Sequence, residues 1–563
     1  MKAWIPAALS CSFLAPSAAC AGGGFSTAPA AALPAPLDDA KASHHQITLS
    51  GAPIAYTATA GHLTARSLKG GNPEAAFFYV AYTADGKDPA TRPLTFLYNG
   101  GPGSASVWLH LGSFGPKRLV TGDPATTEKV PFPLVDNQDS LLDTTDLVFV
   151  DAVGTGLSEA VAPNSNETFW GVDQDAAVFR DFILRYLAVN QRGHSPLYLF
   201  GESYGTPRTA VLANLLGAAG VKLAGVVLQS SILNYNANGD MGLGTSCASF
   251  LPSYSATGAY FRLDTPEPAD LPTFIQRMRG FTAGKYAPAV KAWLNNQTAP
   301  DSTLLTSLHD DTGIALPIWQ QEFNLTPDTF RTSLVANTLI GRYDARVSAP
   351  VGSPLADDGD PSSTFITQPF TQAITGLLDG FLGYGHGADY ALSGEADQNW
   401  DFSHDGLDLP DTIPDLCAAL KRDPGLKILS LNGYHDLATP FYQTELDLAR
   451  LGRQPNLQIR HYNGGHMVYL DSGSRPLEKA DLVAFYQAAP GWAGSADHAL
   501  AAPMAPRVPY LASPWMAAPP ARVRGPLADP YVPAGRRHPS SAPPATGAAL
   551  RALVERKLAQ PSE

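Results

Sequence analysis

The sequence predicts an α/β fold: a doubly wound, mostly parallel sheet interrupted by a helical insertion that lies over it like a lid. Three observations predict it. Short apolar runs end repeatedly in glycine-rich loops, as at Leu94–Tyr98 before Asn99-Gly100-Gly101-Pro102-Gly103, and helical patterns alternate with those runs. From Ile232 to about Ile413 that rhythm gives way to aromatic-rich helical stretches and polar loops, and it resumes at Lys427.

Composition bounds what the chain can be. With 563 residues, 44% apolar and 16% charged, it can bury a large core. A net charge of −13 speaks against nucleic acid as a partner, because phosphate recognition needs clustered Lys and Arg. Lys2, the apolar run Ala3–Ala19 and the small-residue exit Ala19-Cys20-Ala21 predict a secretory signal over 1–21, and hence a secreted or periplasmic protein; a short buried helix is the competing reading. No transmembrane segment is expected. Removal of the signal leaves Cys247 and Cys417, which an oxidising compartment could pair and a core could equally hold as free thiols.

Residues 22–44 read as a linker and 45–231 as the first catalytic part. Alternation in Ile47–Leu49, Ile54–Ala58 and Ala75–Tyr82, with Gly and Asp-Gly breaks, predicts antiparallel opening strands. Leu94–Tyr98 and Asp146–Asp151 are short apolar strands whose glycine loops bare backbone N–H groups at the carboxyl edge of the sheet, where α/β folds bind ligands. A helix near Gln174–Val189 leads to the strand Leu197–Phe200, and Leu223–Leu228 supplies another. Residues 232–411 form the insertion; its acidic loop Asp357–Pro361 lacks the spaced oxygen ligands of a calcium loop and reads as solvated. Residues 412–490 form the second catalytic part. The stretch 491–563 is rich in Pro, Ala and Arg, with 8 Lys and Arg against 4 Asp and Glu; it reads as a disordered +4 tail on a remainder of −17, with a short helix possible at 547–558.

The chemistry gathers at three loop tips. Gly201-Glu202-Ser203-Tyr204-Gly205 follows one strand and precedes a helix, a strand–turn–helix that lifts a serine hydroxyl above the sheet edge. Asp436 follows the strand Lys427–Leu431, and His466 follows Leu457–Tyr462. Nucleophile, acid and histidine in the order Ser203, Asp436, His466, each just past a strand, match the chain order of α/β-hydrolases. The competing reading makes Asp436 a turn residue and His466 a hydrogen-bonded core histidine. His435 and His461 are lesser candidates for the base, because alternation and the absence of a following loop take them off the edge.

Four separated stretches carry a resemblance to the serine carboxypeptidase family: Asn99–Gly103 with Gly115-Pro116, Asp146–Ser158, Gly201–Tyr204, and Gly465-His466-Met467-Val468 with Asp471. The resemblance implies an α/β-hydrolase with an inserted lid and no metal or cofactor. It implies that Ser203 is the nucleophile, His466 the base and Asp436 its orienting acid, with the backbone N–H groups of Gly101 and Tyr204 as the oxyanion hole. It further implies that Asn99, Gly100 and Glu202 grip the terminal carboxylate of a peptide substrate. The chain departs from the family at Leu97, where a Trp is usual, and at Ser113, where a second glutamate is usual; both changes bear on the carboxylate grip, and Ser113 leads one to expect that Glu202 ionises earlier than in relatives with two glutamates. An esterase or acyltransferase of the same fold, and a catalytically silent binding protein, are the competing functions. Residue preference and oligomeric state are not encoded legibly.

Overall fold

The structure is a computed structural model that describes residues 24–121, 132–241, 245–385, 389–489, 491 and 494–497. The signal expected at 1–21 and the tail beyond Asp497 lie outside the described residues.

An antiparallel ribbon opens the fold: β1 (Asp39–Leu49), β2 (Ala52–Arg66) and β3 (Pro73–Ala84). Ser50 and Gly51, both at positive φ (49° and 81°), make the two-residue turn between β1 and β2, the geometry that suits the natural strand twist. There follow β4 (Leu94–Tyr98), a small pair β5 (Lys117–Leu119) and β6 (Leu134–Asp136), then β7 (Asp146–Val150) and β8 (Glu159–Ala160). The last sheet strands are β9 (Leu197–Glu202), β10 (Leu223–Gln229), β13 (Lys427–Gly433), β14 (Leu457–Tyr462) and β15 (Gly494–Asp497), while β11 (Thr338–Ile340) and β12 (Ser348–Pro350) pair separately in the insertion. The central sheet runs β1-β2-β3-β7-β4-β9-β10-β13-β14-β15, with β8 beside β3, and is parallel from β7 onward. The doubly wound sheet is therefore present as expected.

Period-two alternation builds two cores. Phe78, Val80, Tyr82, Leu97 and Phe200 face one side, where Trp108 and Leu109 of α1 (Val107–Gly112) and Leu482 and Phe485 near the C-terminus cover them. Phe77, Tyr79, Phe96, Tyr98 and Leu199 face the other, under α2 (Val172–Val189) and α3 (Gly205–Ala218). Burying each such aromatic or Leu side chain contributes about 1.5–3 kcal/mol.

The insertion divides into two packing units. Helices α4 (Leu251–Tyr260), α5 (Leu271–Phe281), α6 (Ala287–Asn296), α7 (Ser302–Thr312), α8 (Leu316–Gln321) and α9 (Pro327–Ser333) close around Phe250, Tyr254, Met278, Trp319 and Phe330, a core joined by Tyr434 and Phe441 from the catalytic part. By contrast α10 (Pro361–Gly376) sends Phe370 and Ile374 into the main core beside Trp108. A single lid was expected; half of it is built into the hydrolase body. The chain continues through α11 (Ala396–Asn399), α12 (Ile413–Arg422), α13 (Phe441–Ala449) and α14 (Ser474–Gln487).

Two expected boundaries move. The linker 22–44 already contains the start of β1, held by Asp38 on Arg185 at 2.6 Å and by Tyr384 donating to Asp39 at 2.7 Å. The strand was illegible because its outer face is exposed and polar, with Ser43, His44 and His45 in the pairing register. Likewise residues 494–497 of the expected tail form β15 along β14. Cys247 and Cys417 are both free thiols. Among the described residues no helix is long and apolar enough to cross a membrane.

Candidate active site

Ser203 sits where β9 turns into α3, at φ 58°, a left-handed conformation that costs a non-glycine residue about 1–3 kcal/mol and that tight packing must hold. The packing is visible at Gly201, where a Cβ would lie 2.1 Å from the carbonyl oxygen of Gly205. The Ser203 amide donates to Gln229 O at 3.0 Å, and Thr206 N donates back to Ser203 O at 2.8 Å.

Asp436 and His466, 30 residues apart in sequence, meet beyond the ends of β13 and β14. His466 Nδ1 and Asp436 Oδ2 are 2.8 Å apart, both side chains essentially buried. The amides of Ala438 and Thr439 donate to Asp436 Oδ1 at 2.8 and 3.0 Å, and the Thr439 hydroxyl donates to Oδ2 at 2.6 Å. A carboxylate so fully engaged cannot rotate away from the imidazole. Burial alone would lower the His466 pKa, but the charge and hydrogen bond of Asp436 and the charge of Glu202 outweigh it and raise it above the ordinary value. Nε2 of His466 has no hydrogen-bond partner among the described residues, so the ring offers one nitrogen for proton transfer.

Backbone from the insertion stitches the acid and base loops together. His466 N donates to Tyr343 O at 2.6 Å, Leu437 N to Arg342 O at 3.0 Å, and Ala345 N to His435 O at 2.9 Å. Ser230 Oγ at the end of β10 donates to His466 O at 2.5 Å, linking this unit to the Ser203 turn through Gln229.

The Asn99–Gly103 loop lies against the turn. A Cβ on Gly100 would fall 2.4 Å from the Tyr204 amide nitrogen, so only glycine lets the loop approach. Among the described residues neither the Gly101 nor the Tyr204 N–H donates to a backbone carbonyl. Arg208, missed by the sequence reading, anchors this loop: it donates to Asn99 O at 2.7 Å, pairs with Asp175 at 2.6 Å and stacks 4.5 Å over Phe179.

Glu202, the last residue of β9, is 1% exposed and accepts from Asn99 Nδ2 at 2.8 Å. Burial pushes its carboxyl up to about 7, against the pull of His466, the Tyr469 hydroxyl and Asn99. Ser113 does not address Glu202: its hydroxyl turns back to Leu109 O at 2.5 Å on α1. Glu478 of α14 is also fully buried, and burial raises its carboxyl above the ordinary range.

The lesser histidines are structural. His435 Nε2 lies 2.8 Å from Asn463 Oδ1, and burial pushes the ring down to about 4. His461 is clamped between Glu445 and Asp497 at 2.7 and 2.6 Å. Thr439 was also missed, although an Asp with Thr three residues on is a turn pattern in which side chains bind local backbone.

Residues 51–232 match the serine carboxypeptidase family model. That segment holds the Asn99 loop, the strand at Asp146 and the Ser203 turn, three of the four stretches that carry the sequence resemblance; Asp436 and His466 lie beyond it. Among solved structures the chain is similar to Kex1(Δ)p, a prohormone-processing carboxypeptidase from Saccharomyces cerevisiae, at 18% identity over 77% of this chain and 91% of that one, TM-score 0.49. It is also similar to a proline iminopeptidase from Mycobacterium smegmatis, at 14% identity over 76% and 97%, TM-score 0.33. A carboxyl esterase from Bacillus coagulans follows at 12% identity over 75% and 96%, TM-score 0.32. The strand order and the turn at Ser203, rather than these distant likenesses, establish the α/β-hydrolase fold.

Proposed function

We propose that the protein is a serine carboxypeptidase that removes C-terminal residues from peptides through an acyl-enzyme. The observation that carries the reading is Glu202: a buried carboxyl held protonatable to about pH 7, one residue before a serine on a strained strand–helix turn. A neutral acid there can donate a hydrogen bond to a substrate's terminal carboxylate, whereas an ionised one would repel it. Asn99 holds the Glu202 carboxyl, and Gly100 brings its backbone against the Tyr204 amide.

In this reading Ser203 Oγ attacks the carbonyl of the last peptide bond while His466 Nε2 takes its proton. Asp436 stabilises the imidazolium that results. The N–H groups of Gly101 and Tyr204 receive the developing oxyanion, each worth a few kcal/mol of barrier. The imidazolium then protonates the leaving amine, the shortened peptide stays esterified to Ser203, and water activated by His466 releases it. The signal expected at 1–21 places the enzyme outside the cytoplasm or in a periplasm, which the N-terminal sequence of the mature protein tests.

The deciding experiment pairs a peptide with its C-terminal amide. Strong preference for the free acid, with fluorophosphonate labelling of Ser203, supports an exopeptidase. Equal turnover of acid and amide, or of simple esters alone, would point to an esterase, and absence of labelling to a binding protein.

A further inference from the structure

The insertion comes back to the sheet along a strap, residues 390–400, that lies on the two loops carrying Gly101 and Tyr204. Ala391 bridges antiparallel to Gly156, with the Gly156 amide donating to Ala391 O at 2.8 Å and the Ala391 amide to Gly156 O at 3.3 Å; Ser393 bridges to Ser104. Within the Asn99 loop the Ala105 amide donates to Leu392 O at 2.8 Å, and Gly103 O accepts from the Gly394 amide at 2.9 Å. The approach is so close that a Cβ on Gly103 would fall 2.9 Å from the Ala396 methyl and 3.2 Å from the Asp397 amide nitrogen. Backbone paired in this way ties the loop to the strap as a strand is tied to its neighbour.

A side chain at each end of the strap extends the tie. At the first end the Tyr390 hydroxyl donates to Asp151 Oδ1 at 2.9 Å, and the same oxygen accepts from the Ser106 amide at 2.8 Å. Ser106 Oγ accepts from the Asn99 amide at 3.2 Å and donates to Val150 O. This path ends on the loop two residues before Gly101. At the other end Trp400 Nε1 donates to the Tyr204 hydroxyl at 3.1 Å, and the two rings meet edge to face with centroids 5.0 Å apart. Tyr204 is 0% exposed, and the Arg208 guanidinium that holds Asn99 O also lies 5.4 Å from its ring. A ring pinned at its hydroxyl and on its face resists rotation of the whole residue, and so of the amide that the residue carries.

We propose that Tyr390 and Trp400 are positioning residues for the oxyanion donors. Tyr390 acts through Asp151 and Ser106 on the N–H of Gly101, and Trp400 acts through the Tyr204 side chain on the N–H of Tyr204. The proposal rests on the oxyanion hole assigned above. A donor stabilises developing charge only if it already points at a spot about 2.7–3.1 Å away, where the oxygen will be, so a loop that drifts loses rate without losing substrate. Residues 342–345 of the insertion brace the acid and base loops; residues 390–400 brace the opposite wall.

The test compares the wild-type protein with Tyr390→Phe and Trp400→Phe, using a peptide that ends in an aldehyde and the same peptide ending in the alcohol. The aldehyde carbon bonds to Ser203 Oγ while the serine proton passes to His466, which leaves the former carbonyl oxygen negatively charged in the hole; the alcohol only occupies the cleft. Wild type should bind the aldehyde tighter by about 10²-fold or more. Each variant should lower kcat by about tenfold to hundredfold, short of the 10²–10³ or so that loss of a whole donor costs, with KM within about threefold. Aldehyde affinity should fall by the factor lost in kcat/KM, and alcohol affinity should stay as in wild type. A variant that lowers Tm yet keeps the wild-type ratio of aldehyde to alcohol affinity overturns the proposal, as does equal weakening of both ligands. Tyr204→Phe removes the acceptor of the Trp400 bond, so combining it with Trp400→Phe should be no worse than the poorer single variant; multiplied losses overturn the Trp400 arm. A wild-type protein that binds both ligands equally refutes the oxyanion hole itself, whereas a wild-type preference that both variants retain refutes only the strap.

Discussion

Two buried histidines, one on β14 and one just beyond it, show how the same side chain is made reactive or inert. His466 has one carboxylate, on Nδ1, and a bare Nε2. His461 has carboxylates at both nitrogens, Glu445 and Asp497, with Arg279 of α5 bridging the two acids at 2.6 and 2.8 Å. Both rings are held above the ordinary imidazole pKa against burial. The difference is that each His461 nitrogen faces a carboxylate, at 2.7 and 2.6 Å, so its charge joins the insertion to the sheet. Charge pairing at one nitrogen leaves a ring that could serve as the proposed base; pairing at both makes a fastener.

The comparison breaks most visibly at the triad. Ser203→Ala and His466→Ala should each lower kcat by about 10⁴–10⁶-fold, and the double variant should be little worse, because members of one catalytic unit are not additive. A single Ser203→Ala variant retaining a tenth of wild-type turnover would assign the nucleophile elsewhere. Asp436→Asn should cost about 10⁴-fold in kcat with the fold intact, since the amide would favour the wrong tautomer of His466; single-turnover kinetics measure it.

At His461 the prediction is one of stability. His461→Gln leaves Glu445, Asp497 and Arg279 short of one partner in a buried network, a loss of about 3–5 kcal/mol in denaturant unfolding. Surviving folded enzyme should keep kcat within a few-fold of wild type, and a triad-sized loss would mean that the fastener and the base are coupled. His404, clamped in the same manner by Asp173 at 2.7 Å and Asp415 at 2.8 Å, sharpens the point by its pH dependence. The Asp415 hydrogen bond, against burial and with help from Asp173, raises its pKa to about 9. A folded value above the unfolded one gives stability that is complete below about pH 6.5 and lost as pH rises through about 9. The Tm of wild type should therefore exceed that of His404→Asn at pH 6, and the two should converge above pH 9. Smallest of all, deletion of residues 500–563 should leave turnover of small peptides unchanged; a large loss would refute a dispensable tail.

The candidate triad residues were legible in the sequence because each stands past an apolar strand, where alternation and glycine both leave marks. Asp436 and His466 do meet, and the parallel strands run as expected. The edges of the fold were less legible. β1 carries Ser43, His44 and His45 on a ribbon exposed along one face, and β15 is four residues embedded in a tail whose composition reads as unstructured. Arg208 was hidden for another reason: it is a charged residue fully inside the protein, explained by Asp175 and Asn99 O, far away in sequence. Only an acid at an apolar helix position, as in Glu478-x-x-x-Leu482-x-x-Phe485, leaves a trace that spacing could reveal.

The backbone stitch through Arg342, Tyr343 and Ala345 has a consequence for the birth of the enzyme. The candidate site draws on residues 203, 342–345, 436 and 466, so its geometry depends on contacts of long sequence separation. Such contacts close late, after loop-closure entropy has been met and after the local helices have formed. A nascent chain that stops before residue 466, or one whose insertion has not docked, holds its serine without an aligned base. If the proposed function holds, proteolytic competence is tied to the completion of folding, and an unfinished chain would be harmless to its neighbours.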